Sequence, residues 1–411
     1  MAQPARAAPH RRLAPRPLPY HLGTALSTWL GSLAALPQLR SGSSLWKGNL
    51  GGTAKALARD LERVPDAALR SAVEREIRCR LDALLRGIET YRTHPYRRAL
   101  DDPPVVWREG TTRLLDYGGD ARARPLLVVP SLINRAYVLD LARERSVLRF
   151  LAARGFRPLL VDWGAPGEVE RRFTLDDYIG GRLGRALDAV LDLIGRPPIL
   201  IGYCMGGLLT LTLALARADD VAGLALLATP WDFHAERPEQ ARVLAAAMAP
   251  LWPTLERLGE LPVDMIQILF AALDPFLAIR KFQGFAALDP ASPQAEAFVA
   301  LEDWVNDGVP LAYPVAKACL GEWYGMNTPA RGAWRIGGAA VAPQALDCPS
   351  LVVVPERDRI VPPASARALA NAIPGADVLH TPLGHIGMIV STQAAAEVWH
   401  PLLRWLEAVP S

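Results

Sequence analysis

Cysteine is scarce in this sequence of 411 residues, and its four copies lie far apart, at Cys79, Cys204, Cys319 and Cys348. That density is too low for a scaffold held by disulfides, and no Cys-x-x-Cys pair is available for zinc binding or dithiol chemistry. The glycine-rich phosphate loops of nucleotide-binding proteins and the His-Glu-x-x-His pair of metalloproteases are also absent. We therefore expect no metal, and any cysteine chemistry must come from a single thiol.

Acidic residues are missing from the first 59 positions, which contain eight Lys or Arg side chains and are rich in proline. The remainder carries a small excess of acid and no basic stripe, which argues against a nucleic-acid-binding surface. No run reaches the roughly 18 apolar residues of a membrane span. Because a convincing signal-peptide cleavage site is lacking as well, we predict a cytoplasmic protein in which residues 1–59 form a basic arm.

The rest of the chain contains two kinds of hydrophobic pattern, one typical of helices and one typical of buried strands. Residues 60–103 include apolar positions spaced by three and four, which predict an amphipathic helix. Over 104–229, short apolar runs alternate with helical patterns, including a helix expected over 137–154, and the alternation resumes over 347–411. This pattern predicts an α/β fold with a mostly parallel sheet covered by helices on both faces. Residues 230–346 break it and are interpreted as a helical cap insertion.

One apolar run leads directly through a glycine-rich turn into a second, in Ile199-Leu-Ile-Gly-Tyr-Cys204-Met-Gly-Gly207. Small residues two positions before and after Cys204 are typical of a nucleophile elbow, the strained strand-to-helix turn of α/β-hydrolases. That turn projects the nucleophile above the sheet. We therefore predict that Cys204 is the nucleophile of an α/β-hydrolase-like fold, in the position usually held by serine.

A thiol nucleophile needs a base, and the base needs an orienting carboxylate. In α/β-hydrolases the acid and then the histidine follow the nucleophile along the chain. Asp358 follows the apolar run at 350–355, and His385 follows the run at 376–381. Both positions lie beyond the carboxyl ends of predicted strands, where active sites of such sheets are found. Asp358 and His385 are the predicted acid and base, with Glu356 and His380 as the alternatives.

The oxyanion hole is expected to combine two backbone N–H groups. One belongs to Met205, directly after the nucleophile, and the other to the loop that follows Pro130. Within that loop we select Ile133, although the sequence does not distinguish its amide from those of its neighbours. No cofactor-binding residues can be named from the sequence.

The use of cysteine at an elbow has a chemical rationale. Thiolate attack on a thioester exchanges one thioester for another, so the acyl-cysteine keeps its activation for transfer to an alcohol. An acyl-serine would already have lost that activation. The chemistry therefore favours acyl transfer from a thioester over ester hydrolysis, with an apolar cap that disfavours water as the acceptor.

Five motifs resemble the polyhydroxyalkanoate synthase family: Pro130-Ser-Leu-Ile-Asn-Arg-Ala-Tyr-Val-Leu-Asp-Leu141, Thr174-Leu-Asp-Asp-Tyr-Ile179, Gly202-Tyr-Cys-Met-Gly-Gly207, Asp358-Arg-Ile-Val-Pro362 and Gly384-His-Ile-Gly387. The resemblance places the nucleophile, acid and histidine of the family on Cys204, Asp358 and His385. It implies that (R)-3-hydroxyacyl-coenzyme A is polymerised to a polyester through an acyl-cysteine, with release of coenzyme A. Apart from the coenzyme A carried by the substrate, it implies no cofactor.

The resemblance also implies a homodimer or a second subunit, and association with polyester granules. If the protein associates with granules, the basic arm is expected to contact the polymer or a partner. Two other functional hypotheses remain at this point. The first is a cysteine thioesterase or intracellular polyester depolymerase on the same scaffold. The second is a non-enzymatic granule-surface relative.

Overall fold

The computed structural model describes residues 12–41, 50–119 and 123–410. Its contacts divide the chain into two units, one of residues 1–97 and 267–306 and one of residues 98–266 and 307–411. The segment interpreted as a cap, 230–346, is therefore divided: its central part groups with the N-terminal helices, and its two ends belong to the unit that contains the main sheet. Within the described residues, no helix combines the length and apolar character needed to cross a membrane.

Fourteen strands are present in the described residues. In chain order they are β1 Val105–Glu109, β2 Thr112–Asp116, β3 Arg124–Val129, β4 Asp140–Ala142, β5 Arg145–Ser146, β6 Phe156–Asp162, β7 Ile199–Tyr203, β8 Gly223–Leu227, β9 Glu260–Leu261, β10 Leu311–Ala312, β11 Arg335–Ile336, β12 Ala339–Ala340, β13 Ser350–Pro355 and β14 Asp377–Thr381. Eight of them form one sheet in the order β1-β2-β6-β3-β7-β8-β13-β14.

Strand direction in this sheet agrees with the sequence-based prediction. Strands β6, β3, β7, β8, β13 and β14 pair in parallel, and only the hairpin of β1 and β2 introduces antiparallel pairing. Every residue of β7, β8 and β13 is buried, as expected for central strands with helices on both faces. The predicted mostly parallel α/β sheet is confirmed.

The helices are α1 Leu18–Ala34, α2 Leu36–Arg40, α3 Gly51–Glu62, α4 Asp66–Thr93, α5 Val147–Ala152, α6 Gly184–Ile194, α7 Met205–Ala216, α8 Pro238–Met248, α9 Trp252–Leu258, α10 Val263–Ala271, α11 Leu277–Phe285, α12 Pro293–Asn306, α13 Tyr313–Lys317, α14 Pro363–Ala372, α15 Gly387–Val390 and α16 His400–Ala408. In the part of the chain that the structure describes, three further segments have π-helical hydrogen bonding, Asp177–Leu183, Ala318–Gly325 and Ala395–Trp399. Such segments are rare and often lie near functional sites.

The helix predicted over 137–154 is wrong in its first half. There the chain forms one short 3₁₀ turn and the β4–β5 hairpin, and α5 begins only at Val147. The cause is Asp140, whose buried carboxylate accepts hydrogen bonds from Arg98 at 2.9 Å and from Arg149 at 2.8 Å. An acidic side chain is stable in the interior only when it is paired in this way, and the pairing holds Asp140 at a non-helical φ of −140°.

The unit built from residues 1–97 and 267–306 has an apolar core of its own. Tyr91 of α4 packs edge to face against Phe282 of α11, with ring centroids 5.5 Å apart. Gly87 lies one turn before Tyr91, where a Cβ atom would stand 1.9 Å from the backbone oxygen of Phe282. A side chain at that position would therefore separate α4 from α11. This packing explains why residues 267–306 group with the N-terminal helices and not with the rest of the predicted cap.

Part of the predicted basic arm is folded into the same unit. Helix α1 buries His21, Ala25 and Trp29. The Arg12 guanidinium donates to a carboxylate oxygen of Asp303 at 2.6 Å and to three backbone carbonyls, one in the last turn of α4 and two in the residues just after it. Residues 1–11 and 42–49 of the arm lie outside the described residues. Attachment of the arm to a polymer or a partner stays a prediction.

Candidate active site

The strand–turn–helix arrangement predicted around Cys204 is present. Strand β7 ends at Tyr203, and α7 begins at Met205. Between them Cys204 has a φ of 55° and a ψ of −125°, a combination that residues other than glycine rarely adopt. Such a backbone costs roughly 1–3 kcal/mol and persists only where the surrounding structure enforces it. The local fold therefore holds the thiol out of the sheet against its own conformational preference.

Two glycines explain how the turn is enforced. A Cβ atom on Gly206 would stand 2.1 Å from the carbonyl oxygen of Val129, at the end of β3. A Cβ on Gly207 would stand 1.8 Å from the hydroxyl oxygen of Thr229, just beyond β8. The start of α7 is thus pressed against both neighbouring strands, and only glycine permits this approach.

Asp358 and His385 come together although 27 positions separate them in the chain. His385 Nδ1–H donates to Asp358 Oδ2 at 2.6 Å. The other carboxylate oxygen accepts from the backbone N–H groups of Ile360 at 2.8 Å and Val361 at 2.9 Å. Both side chains are buried, so the carboxylate is compensated entirely by protein donors. The loop after β13 sets the orientation of the Asp358 carboxylate, and the carboxylate in turn sets the orientation of the imidazole.

Cys204 lies beside the same imidazole, close enough for its charge and hydrogen bonding to act on the pKa of His385, so thiol, imidazole and carboxylate come together. Burial by itself would lower the pKa of His385. The charge of Cys204 and the hydrogen bond to Asp358 outweigh it and raise that pKa from 6.5 to about 10. At neutral pH the raised pKa therefore keeps His385 protonated beside Cys204, and a cationic imidazole next to the sulfur is the arrangement that makes a cysteine nucleophilic.

The alternative acid and base form a separate pair. His380 Nδ1 lies 2.7 Å from Glu356 Oε1, and Glu356 also binds Arg367 at 2.9 Å. About half of the His380 side chain is exposed. The geometry therefore joins Asp358, and not Glu356, to the histidine that contacts Cys204. The catalytic roles of Cys204, Asp358 and His385 remain predictions that this geometry favours.

The two predicted oxyanion donors lie on segments that touch. Met205 is the first residue of α7, and Ile133 lies in the loop after β3, the strand that Gly206 contacts. The N–H of Ile133 donates to the Ser131 hydroxyl at 3.2 Å. An acyl oxygen bound at this amide would have to share or replace that hydrogen bond. Nothing in the sequence singled out Ser131 beyond its place in the loop.

One aromatic residue near the nucleophile was missed by the sequence reasoning. Burial raises the pKa of Tyr324, and the charge of Cys204 adds to the effect, so this phenol lies within electrostatic reach of the thiol. Tyr324 belongs to the π-helical segment Ala318–Gly325, which a hydrophobic pattern does not reveal. A signal was available in Asn327, because asparagine often ends a helix in the left-handed conformation. Asn327 has a φ of 54°.

Asn327 fastens this segment to the residues that follow β8. Its side-chain oxygen accepts from the N–H of Phe233 at 3.0 Å, and its amide donates to Asp232 at 2.8 Å. His234 lies 2.8 Å from the carbonyl oxygen of Tyr324 through Nε2. The segment that carries Tyr324 is therefore held by three polar contacts.

Comparison with known proteins gives consistent matches. Residues 124–392 match the family described as alpha/beta hydrolase fold. The chain is 30% identical to the poly(3-hydroxyalkanoate) polymerase subunit PhaC of Haloferax mediterranei over 73% of this chain and 63% of that protein. It is 31% identical to the protein of the same name from Allochromatium vinosum over 70% of this chain and 81% of that protein. It is 29% identical to the protein of the same name from Haloarcula marismortui over 84% of this chain and 74% of that protein. The chain thus spans less than two thirds of the first relative.

Proposed function

Since the chain belongs to the poly(3-hydroxyalkanoate) polymerase family and has the α/β-hydrolase fold, we propose that it builds a polyester from (R)-3-hydroxyacyl-coenzyme A. Coenzyme A is the leaving group, and the acyl chain passes through a covalent thioester on Cys204. The coenzyme is carried in by the substrate, and the chemistry requires no resident cofactor.

The first half-reaction loads the enzyme. The Cys204 thiolate attacks the thioester carbonyl, the new carbon–sulfur bond forms, and the bond to the coenzyme A sulfur breaks. His385 holds the proton that left Cys204 and delivers it to the departing thiolate. We expect the backbone N–H groups of Met205 and Ile133 to donate to the oxygen that becomes negative in the transition state, with the Ile133 amide sharing or giving up its bond to Ser131. Exchange of one thioester for another leaves the acyl group activated.

The second half-reaction uses the same imidazole in the opposite role. The charge of Cys204 is the largest of the effects that raise the pKa of His385. Acylation of the sulfur removes that charge. Burial then lowers that pKa, and His385 becomes able to accept a proton from the attacking 3-hydroxyl group. The alkoxide oxygen bonds to the acyl carbon, the bond to Cys204 breaks, and the polyester has grown by one unit. Asp358 keeps the imidazole oriented through both steps.

The observation that carries this proposal is the contact of one buried histidine with both Asp358 and a thiol at the elbow. A serine at the same place would form an ester of lower transfer potential. The cysteine therefore supports transfer to an alcohol over simple hydrolysis.

The cellular location and the assembly of the enzyme are part of the same proposal. We infer from the family that the protein acts in the cytoplasm at the surface of polyester granules. Function as a homodimer, or together with a second subunit, follows from the same inference.

The test uses purified protein and (R)-3-hydroxybutyryl-coenzyme A. Wild type is expected to release free thiol and to form insoluble polymer, whereas Cys204→Ala is expected to do neither. Cys79→Ala is the matched control, because Cys79 is exposed and should be dispensable. Thiol release with only monomeric 3-hydroxybutyrate would contradict the proposal and identify a thioesterase.

A further inference from the structure

The loop that carries Ile133 is tied to a stretch of chain more than 170 positions away. The N–H of Val309 donates to the carbonyl oxygen of Ile133 at 3.2 Å. The neighbouring residues Asn134 and Gly308 form an antiparallel β-bridge. Both peptide groups of Ile133 are therefore engaged, since its N–H donates to Ser131. The crossing holds the peptide group that directly follows the Ile133 N–H.

Asp307 supports the crossing with its side chain. Oδ2 of Asp307 accepts a hydrogen bond from the Tyr137 hydroxyl at 3.3 Å. Oδ1 lies 3.5 Å from Nε of Arg135. Arg135 and Tyr137 stand two and four positions after Ile133, so one carboxylate holds the loop at two points. The next fixed point along the chain is the buried Asp140.

We propose that Asp307 is a positioning residue for the oxyanion hole: it aligns the loop of residues 131–137 so that the Ile133 amide faces the acyl oxygen at Cys204. The inference rests on the proposed function for the identity of the acyl donor. Asp307 itself touches neither substrate nor thiol and acts only through the loop.

The physical reason is the steep dependence of oxyanion stabilisation on geometry. Donors of this kind act when they stand about 2.7–3.1 Å from the developing charge. A displacement of about 1 Å at a reacting centre can cost about 100-fold in rate. Removing the carboxylate of Asp307 should therefore lower kcat and kcat/KM together by about 10- to 100-fold, as expected when an interaction of the transition state is lost.

The experiment compares Asp307→Ala, Asp307→Asn and Asp188→Ala. Asparagine keeps an oxygen for Tyr137 and loses only an exposed ion pair, so Asp307→Asn should stay within about fivefold of wild type. Asp188 is the matched control, because it also pairs with one arginine and is equally exposed, at 50% against 49% for Asp307. Asp188→Ala should leave the rate of thiol release from (R)-3-hydroxybutyryl-coenzyme A unchanged.

Alkylation of Cys204 by iodoacetamide separates positioning from a general disturbance of the site. That reaction forms no oxyanion, so its rate should be unchanged in Asp307→Ala while acyl transfer falls. A parallel fall in alkylation, a change in KM alone, or an acyl-transfer rate equal to that of wild type would overturn the inference.

If wild type released no thiol from the thioester, the proposed polymerase function would fail by itself. The same variants would then be compared for acylation by 4-nitrophenyl butyrate, which also passes through an oxyanion. Equal rates of wild type and Asp307→Ala with that ester would reject the role of Asp307, and a selective loss would support it.

Discussion

The backbone of Cys204 provides a quantitative test of the elbow. Its φ of 55° and ψ of −125° are rare for any residue with a Cβ atom, and we expect a strain of roughly 1–3 kcal/mol. Cys204→Ala removes the thiol and keeps the Cβ atom, whereas Cys204→Gly removes both. The difference in stability between these two variants therefore isolates the strain from the chemistry of the sulfur.

Two effects oppose the relief of strain in the glycine variant. Glycine makes the unfolded chain more flexible, which destabilises the fold by about 0.4–1 kcal/mol. Loss of a partly buried methyl group costs less than about 0.8 kcal/mol. The balance leaves Cys204→Gly about 1 kcal/mol more stable than Cys204→Ala, or roughly 2 °C in Tm for a unit of this size.

The measurement is thermal and urea unfolding of both variants under the same conditions. Ala218→Gly supplies the control, because Ala218 is exposed and its φ is not positive. That change should lower stability by about 0.4–1 kcal/mol. If Cys204→Gly were less stable than Cys204→Ala by a similar amount, the elbow would carry no strain and our account of how the thiol is held would be wrong.

Four further changes have defined outcomes. Asp358→Asn should lower the rate of thiol release by about 10²–10⁴-fold with the fold intact by circular dichroism, because the imidazole loses its charged partner. Gly207→Ala should destabilise the protein by about 1–3 kcal/mol in urea unfolding, and a second change, Thr229→Ala, should recover part of that loss by removing the atom met at 1.8 Å. The pKa of His385 is raised from 6.5 to about 10, so its stabilisation is complete below about pH 6.5 and is lost as the pH rises through about 10. Between these values the Tm of wild type should fall relative to that of His385→Gln, and parallel curves would contradict the raised pKa. Arg12→Ala should destabilise the unit of the N-terminal helices by about 2 kcal/mol, seen as faster hydrogen exchange there, because its charged hydrogen bonds are lost.

Much of the sheet could be predicted because its strands are encoded locally. The apolar runs that became β3, β7, β8 and β13 are buried on both faces, and such strands are recognisable as continuous apolar segments. The helix expected over 137–154 failed for the opposite reason. Its first half is governed by the pairing of Asp140 with Arg98, 42 positions away, and no local pattern reports such a partner.

The amino-acid sequence by itself determined the alternation of buried strands and helices along the main sheet, the elbow at Cys204 and the positions of Asp358 and His385 beyond strand ends. Those features follow from periodicity, small residues at a tight turn and the rule that parallel strands carry their sites at one edge. Tertiary structure decided which acid meets which histidine, that residues 267–306 pack with the N-terminal helices, and that residues 307–309 cross the loop of Ile133. These outcomes depend on side chains that meet across long separations in the chain. Their distances and burial exist only once the whole core has packed.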